Sequence, residues 1–70
     1  WDLPERALSA IRQALQSLPA NPFLGRKLAT PFQRELLISF GSTGYVALYE
    51  IGADTVTIAA IRHQRESDYH

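Results

Sequence analysis

Apolar residues recur at steps of three and four over residues 2–18, the spacing of one face of an α-helix. The stripe consists of Leu3, Ala7, Leu8, Ile11, Ala14, Leu15 and Leu18. Asp2 and Glu5 are spaced as a capping box, and Pro4 fits the first helical turn because its missing N–H needs no partner there. Pro19 disfavours helical geometry at the residue before it, so the pattern predicts a helix over residues 2–18.

Alternating apolar and polar positions replace this spacing in the second half of the chain. A connector broken by proline and glycine spans residues 19–33, and its Phe23 and Leu24 are expected to pack back onto the helix. The alternation beyond it predicts three strands, at about residues 34–40, 45–51 and 55–62. The segments between the strands are short and contain glycine, which favours successive antiparallel hairpins.

These elements predict a single α+β domain over residues 1–70, with the N-terminal helix packed on a three-stranded antiparallel meander. The last strand is apolar on both faces, and this favours an interior position in the sheet. Strict alternation along it places Ile58, Ala60 and Arg62 on one face, and Ala59, Ile61 and His63 on the other.

Composition removes several classes of site. The chain has no cysteine and two histidines, so we expect no disulfide, no metal site and no bound cofactor. No apolar stretch approaches the ~18 residues of a membrane span, and the lack of cysteine fits a reducing cytoplasm. Seven basic and seven acidic side chains cancel, which weighs against a protein that holds nucleic acid mainly through phosphates. A core this small buries only ~60 % of the unfolded chain's surface, which leaves oligomerisation or a partner chain as a route to stability.

Charge is concentrated at the end of the last strand, where Arg62, His63, Arg65 and Tyr69 follow an apolar run. Two guanidinium groups, an imidazole and a phenol could hold a phosphodiester, the arginines stabilising charge and His63 moving a proton. A short helical turn after His63 would bring Arg62, Arg65 and Tyr69 to one side. The alternative is a solvated C-terminal tail, and residue chemistry alone favours it.

A second group of basic residues could extend this cluster. If the connector folds over the sheet, Arg26, Lys27 and Arg34 would join Arg62 and Arg65 in one target-binding surface. The alternative is that the first two only keep a loop soluble. Tyr45 and Tyr49 are two apart on one strand face and could stack on bases, but half-buried core positions are the commoner role.

Three segments in a fixed order carry a family resemblance. They are Arg34-Glu35-Leu36, the aromatic-rich GYVALY at residues 44–49, and IRHQRE at residues 61–66. Together they resemble the RelE/ParE superfamily of toxins from bacterial type II toxin–antitoxin (plasmid stabilisation) modules. The resemblance implies a small α+β fold of a strand, a helical hairpin and three antiparallel strands, here lacking the first strand and the first helix. It also implies a cytoplasmic toxin neutralised by a cognate antitoxin chain, with an exposed sheet edge that could pair with a second copy.

The superfamily implies two activities. One branch cleaves messenger RNA on the ribosome with basic side chains and often a C-terminal tyrosine, which would make Arg62, His63, Arg65 and Tyr69 catalytic. The other branch inhibits growth by acting on DNA gyrase and lacks that nuclease set. The Arg-Glu-Leu strand and the Arg-His-Gln-Arg ending resemble the ParE side more closely. A third interpretation is an inactive truncated toxin that only binds antitoxin.

Overall fold

The computed structural model describes residues 3–65. Within them lie one α-helix, one 3-10 helix at Pro22–Leu24 and four strands in a single antiparallel sheet of order β1-β2-β3-β4. The elements are α1 (Glu5–Leu15), β1 (Arg26–Lys27), β2 (Gln33–Phe40), β3 (Thr43–Ile51) and β4 (Val56–His63). The predicted α+β class and antiparallel meander are therefore confirmed, but the sheet has four strands instead of three. No helix within residues 3–65 combines the length and apolar character needed to cross a bilayer.

Helix α1 is shorter than predicted at both ends. Pro4 occupies the N-cap position instead of the first turn, and no side chain caps the helix there. The predicted start at Asp2 lies outside the described residues. At the other end, the Ser17 hydroxyl donates a hydrogen bond to the Ala14 carbonyl at 2.8 Å. Serine offers the backbone a local alternative to helix in this way, so the chain leaves α1 before Pro19 is reached.

Strand β1 lies inside the segment predicted as a connector. Arg26 pairs with Glu35 and Lys27 with Arg34, and the Leu28 N–H donates to the Gln33 carbonyl at 2.8 Å just beyond the pair. A strand of two residues is too short to show an alternating pattern. Its existence depends on pairing with β2 and not on its own sequence.

The core lies between α1 and one face of the sheet. Ala7 and Ile11 of the helix pack against Ile38, Tyr45 and Ala47 of β2 and β3. Tyr49 is also fully buried, which confirms the core interpretation of both tyrosines. Phe23 and Leu24, which are expected to pack on the helix, each remain about half exposed.

Strand β4 differs from its predicted geometry in two ways. It occupies an edge of the sheet, so the predicted interior position is wrong; within residues 3–65, β2 and β3 are the interior strands. Leu48 pairs with Ala60 and the next residue of β3 pairs with Ile58, so Ala59 is an extra residue, a β-bulge. The bulge shifts the alternation by one residue, placing Ile58 and Ile61 on the same face and correcting the predicted faces of β4.

Candidate functional site

The predicted catalytic cluster is divided between the two faces of the sheet. His63 pairs with Tyr45, which belongs to the core face, and Arg62 pairs with Val46 on the face opposite α1. Directly paired residues share a face, so the imidazole and the Arg62 guanidinium leave β4 in opposite directions. Tyr69 lies outside the described residues. The structure therefore does not bring together the predicted nuclease residues that it describes.

His63 is bound on both sides of its ring. Its Nδ1 accepts a hydrogen bond from the Arg65 N–H at 3.2 Å, which places the proton of a neutral ring on Nε2. Nε2 then donates to the Thr43 hydroxyl at 2.8 Å. The ring also meets Tyr45 edge-on, with 5.3 Å between centroids. These contacts attach the end of β4 to the β2–β3 hairpin, which is a structural role.

The Arg62 side chain turns toward the carboxyl end of its strand. Its Nη1 donates to the carbonyls of His63 and Gln64 at 3.3 and 3.2 Å. Residues 64–65 form a turn, and the predicted helical turn beyond them falls on residues outside the description. Arg65 is exposed.

A shallow depression of about 250 Å³ lies on the sheet face opposite α1. Its lining, which we call the arginine groove, consists of Arg26, Glu35, Leu37, Val46 and Arg62. Leu37, Val46 and Arg62 lie in register across β2, β3 and β4, so they form one row across the sheet. Arg26 Nη2 and Glu35 Oε1 are 2.6 Å apart in an ion pair beside this row. The groove thus has an apolar floor, two guanidinium groups and one carboxylate.

Arg34 has a different role from the other predicted binding residues. Its Nε donates to the Pro31 carbonyl at 2.7 Å, and its Nη1 donates to the carbonyls of Gly25 and Phe23 at 2.7 and 3.2 Å. The guanidinium carbon also lies 4.8 Å from the centre of the Phe23 ring, a cation–π contact. Arg34 therefore holds the connector in place, and the Phe23 ring packs on this arginine.

The five basic residues predicted for target binding do not form one surface. Arg26 and Arg62 line the groove on the open face of the sheet. Lys27 is exposed on β1 and pairs with Arg34, so both lie on the other side of the sheet from Arg26. Arg65 follows β4 in the turn.

One residue that positions the groove was missed by the sequence reasoning. The fully buried Tyr49 accepts a hydrogen bond from the Gly25 N–H at 2.8 Å and donates one to the Pro22 carbonyl at 2.7 Å. These bonds hold the 3-10 helix and the residue before Arg26 against β3. A buried phenol normally finds a polar partner, and that rule was the available signal for this role.

Comparison with known proteins identifies the family. The family model described as ParE toxin of type II toxin-antitoxin system, parDE, matches residues 2–68. Toxin RelE3 of Caulobacter vibrioides is 40% identical over 62 residues, a match that covers 89% of this chain and 66% of the relative. The chain thus spans just under two thirds of the length of that relative. No solved structure is significantly similar to this chain. Because the family model covers nearly the whole sequence, the chain belongs to the ParE toxins of type II toxin–antitoxin systems, within the RelE/ParE superfamily.

Proposed function

We propose that the protein inhibits growth by binding DNA gyrase, without chemistry of its own, and that a cognate antitoxin neutralises it. The observation that carries this proposal is the separation of Arg62 from His63 on opposite faces of β4. Both partners are cytoplasmic in this account, and the proposal requires no metal or cofactor.

Phosphodiester cleavage needs a proton-transfer group within hydrogen-bond reach of the atoms that react. The His63 imidazole is the described side chain best suited to that task near neutral pH. It faces the core side of the sheet, and its two nitrogens are already bonded to Thr43 and the Arg65 backbone. A phosphate held by Arg62 on the open face would be separated from this imidazole by the sheet itself.

Two further observations support the gyrase interpretation. The matching family model is that of the ParE toxins. The chain carries no net charge, whereas a nuclease that binds ribosomal and messenger RNA gains much of its affinity from neutralised phosphates. Binding to a protein surface makes no such demand on net charge.

A second candidate is a ribosome-dependent endoribonuclease of the RelE type. The observation that favours it is the 40% identity to a protein named Toxin RelE3. In that case Arg62, Arg65 and Tyr69 would contact the scissile phosphate, and His63 would have to leave its present contacts. A third candidate is an inactive toxin that only binds antitoxin.

Two assays on the same purified protein separate these candidates. The first follows supercoiling of relaxed plasmid DNA by gyrase, and the second follows cleavage of a messenger RNA on translating ribosomes. We expect supercoiling to be inhibited and the messenger RNA to stay intact. Codon-specific cuts with normal supercoiling would establish the nuclease instead. Antitoxin binding with neither effect would identify an inactive toxin.

A further inference from the structure

We infer that the arginine groove is the docking site for an extended partner segment with the pattern acidic–x–apolar–x–acidic. The inference deepens the proposed function and rests on it in one respect, since the antitoxin is taken as the natural source of the segment. The groove itself is defined by Arg26, Glu35, Leu37, Val46 and Arg62, independently of that source.

The floor of the groove fits an apolar side chain. Leu37 is 59% exposed although it is a large hydrophobic residue in the middle of β2. Its neighbour across the strands is Val46, which is 7% exposed, so the two form a continuous apolar strip. A partner side chain placed on this strip would remove the exposed part of Leu37 from water, which favours binding.

The two ends of the groove fit carboxylates. Arg26 lies at the β1 side and Arg62 at the β4 side, and Glu35 is the only acidic residue among the five that line the groove. The lining therefore has an excess of one positive charge. The Arg26 side chain is 79% exposed even while it is paired with Glu35, so it remains accessible to a second carboxylate.

The spacing of the strands sets the length of the segment. Neighbouring strands lie ~4.8 Å apart, so the three steps from β1 to β4 span about 14 Å. Arg26 lies in the row of Glu35, two residues along the strands from the row of Arg62, so the diagonal between the two arginines is about 16 Å. Residues i and i+4 of an extended chain are about 13 Å apart and point to the same side. The remaining difference of about 3 Å is within the reach of the long arginine side chains. An acidic–x–apolar–x–acidic segment that crosses the strands diagonally therefore places one carboxylate near each arginine and its apolar residue over the strip.

The same features disfavour a nucleic acid in this groove. Glu35 would repel a phosphate, and the exposed leucine offers no partner for a phosphate or a ribose. Bases would need aromatic platforms for stacking, and the aromatic side chains of β3, Tyr45 and Tyr49, are buried on the core face.

The test is an NMR titration of the isotope-labelled chain with three acetylated peptides. The first contains Glu-Ser-Leu-Ser-Glu, the second replaces both Glu by Lys, and the third replaces Leu by Ser. A single-stranded RNA pentanucleotide is the fourth probe. We expect saturable shifts at Leu37, Val46 and both groove arginines with the first peptide only, weakened by added salt.

Matched variants locate the binding. Leu37→Ser and Arg62→Gln should each weaken the first peptide about tenfold. Phe32→Ser removes a large apolar side chain with similar exposure (56%) outside the groove, and Arg12→Gln removes an exposed charge from α1; both should leave affinity unchanged. The NMR spectrum of each variant reports whether it is folded. If a variant does not fold, the peptide and salt titrations of the unaltered chain still test the inference.

Binding of the Lys peptide as strongly as the Glu peptide, tighter binding of the RNA, or shifts confined to α1 and the connector would overturn the inference. Its failure is distinguishable from failure of the proposed function. Groove binding without gyrase inhibition retains the docking site and rejects the gyrase target. Gyrase inhibition without any chemical-shift change at the groove residues retains the gyrase target and rejects the docking site.

Discussion

The Gly25 N–H donates a hydrogen bond of 2.8 Å to the Tyr49 hydroxyl, although 24 residues separate the two along the chain. The same hydroxyl donates to the Pro22 carbonyl, so one buried phenol fixes two backbone groups of the connector. Gly25 immediately precedes β1, and β1 carries Arg26 into the groove. The position of one wall of the candidate site therefore depends on a side chain of the opposite, core face.

Tyr49→Phe should destabilise the protein by about 1–3 kcal/mol, because it leaves the Gly25 N–H and the Pro22 carbonyl without their partner. Urea unfolding followed by circular dichroism measures the change. Tyr45→Phe is the matched control. The Tyr45 ring is also buried on β3, but the hydrogen bonds to the connector are made by Tyr49 and not by Tyr45. Equal losses in the two variants would show that the phenol bonds contribute nothing specific.

Gly25→Ala should also destabilise the protein, by about 1–3 kcal/mol, the usual cost of overpacking a close contact. A Cβ at this position would lie 2.5 Å from the Glu35 carbonyl oxygen and 2.7 Å from the Tyr49 hydroxyl. Gly52→Ala is the control, because its nearest contact would be 3.2 Å from a flexible threonine hydroxyl. Thermal unfolding of both variants checks the prediction, and a stable Gly25→Ala variant would mean that β1 can move away from β2 at little cost.

Arg34→Lys should loosen the connector, because an ammonium group cannot reproduce the fork that bonds to the carbonyls of Pro31, Gly25 and Phe23. Hydrogen exchange is the appropriate measurement. The amide of Gly25 should exchange faster in the variant, while the amides of β3 retain their protection. Unchanged exchange at Gly25 combined with lost partner binding would instead place Arg34 in the target surface, as the sequence alone suggested.

The helix–sheet arrangement follows from sequence because it rests on long periodic patterns. The apolar stripe of α1 and the alternation in β2 and β3 each extend over many residues, so local errors do not alter the result. β1 and the bulge at Ala59 could not be found in this way. A strand of two residues has no period, and an extra alanine among small apolar residues leaves no visible break in the pattern of β4.

The candidate site was only partly predictable for the same reason. Adjacent residues of a strand point to opposite faces, so Arg62 and His63 were already expected on different sides. The sequence could not show that Thr43 and the Arg65 backbone occupy both His63 nitrogens, since these contacts depend on the closing of the β2–β3 hairpin. The sequence also could not show that Arg34 turns toward the connector. Its acceptors there are backbone carbonyls, which every residue has, so no side-chain pattern marks them.

The proposed function predicts opposite results at two neighbouring positions. His63→Gln keeps a side-chain donor for Thr43, so growth inhibition on induced expression should persist. Arg62 is one of the residues predicted to bind the target, so Arg62→Gln should weaken growth inhibition. Circular dichroism and expression level control for folding of both variants. Loss of toxicity in a folded His63→Gln variant, with toxicity intact in Arg62→Gln, would favour proton transfer by the imidazole.

The most direct test of the central claim is the dependence of gyrase supercoiling on the molar ratio of this protein to gyrase. An inhibitor that acts by binding should reduce supercoiling in proportion to the amount added and reach its full effect once gyrase is saturated. The Arg62→Gln variant should shift that titration to higher ratios. Undiminished supercoiling with the protein in large molar excess, under conditions in which it stops growth, would contradict the account.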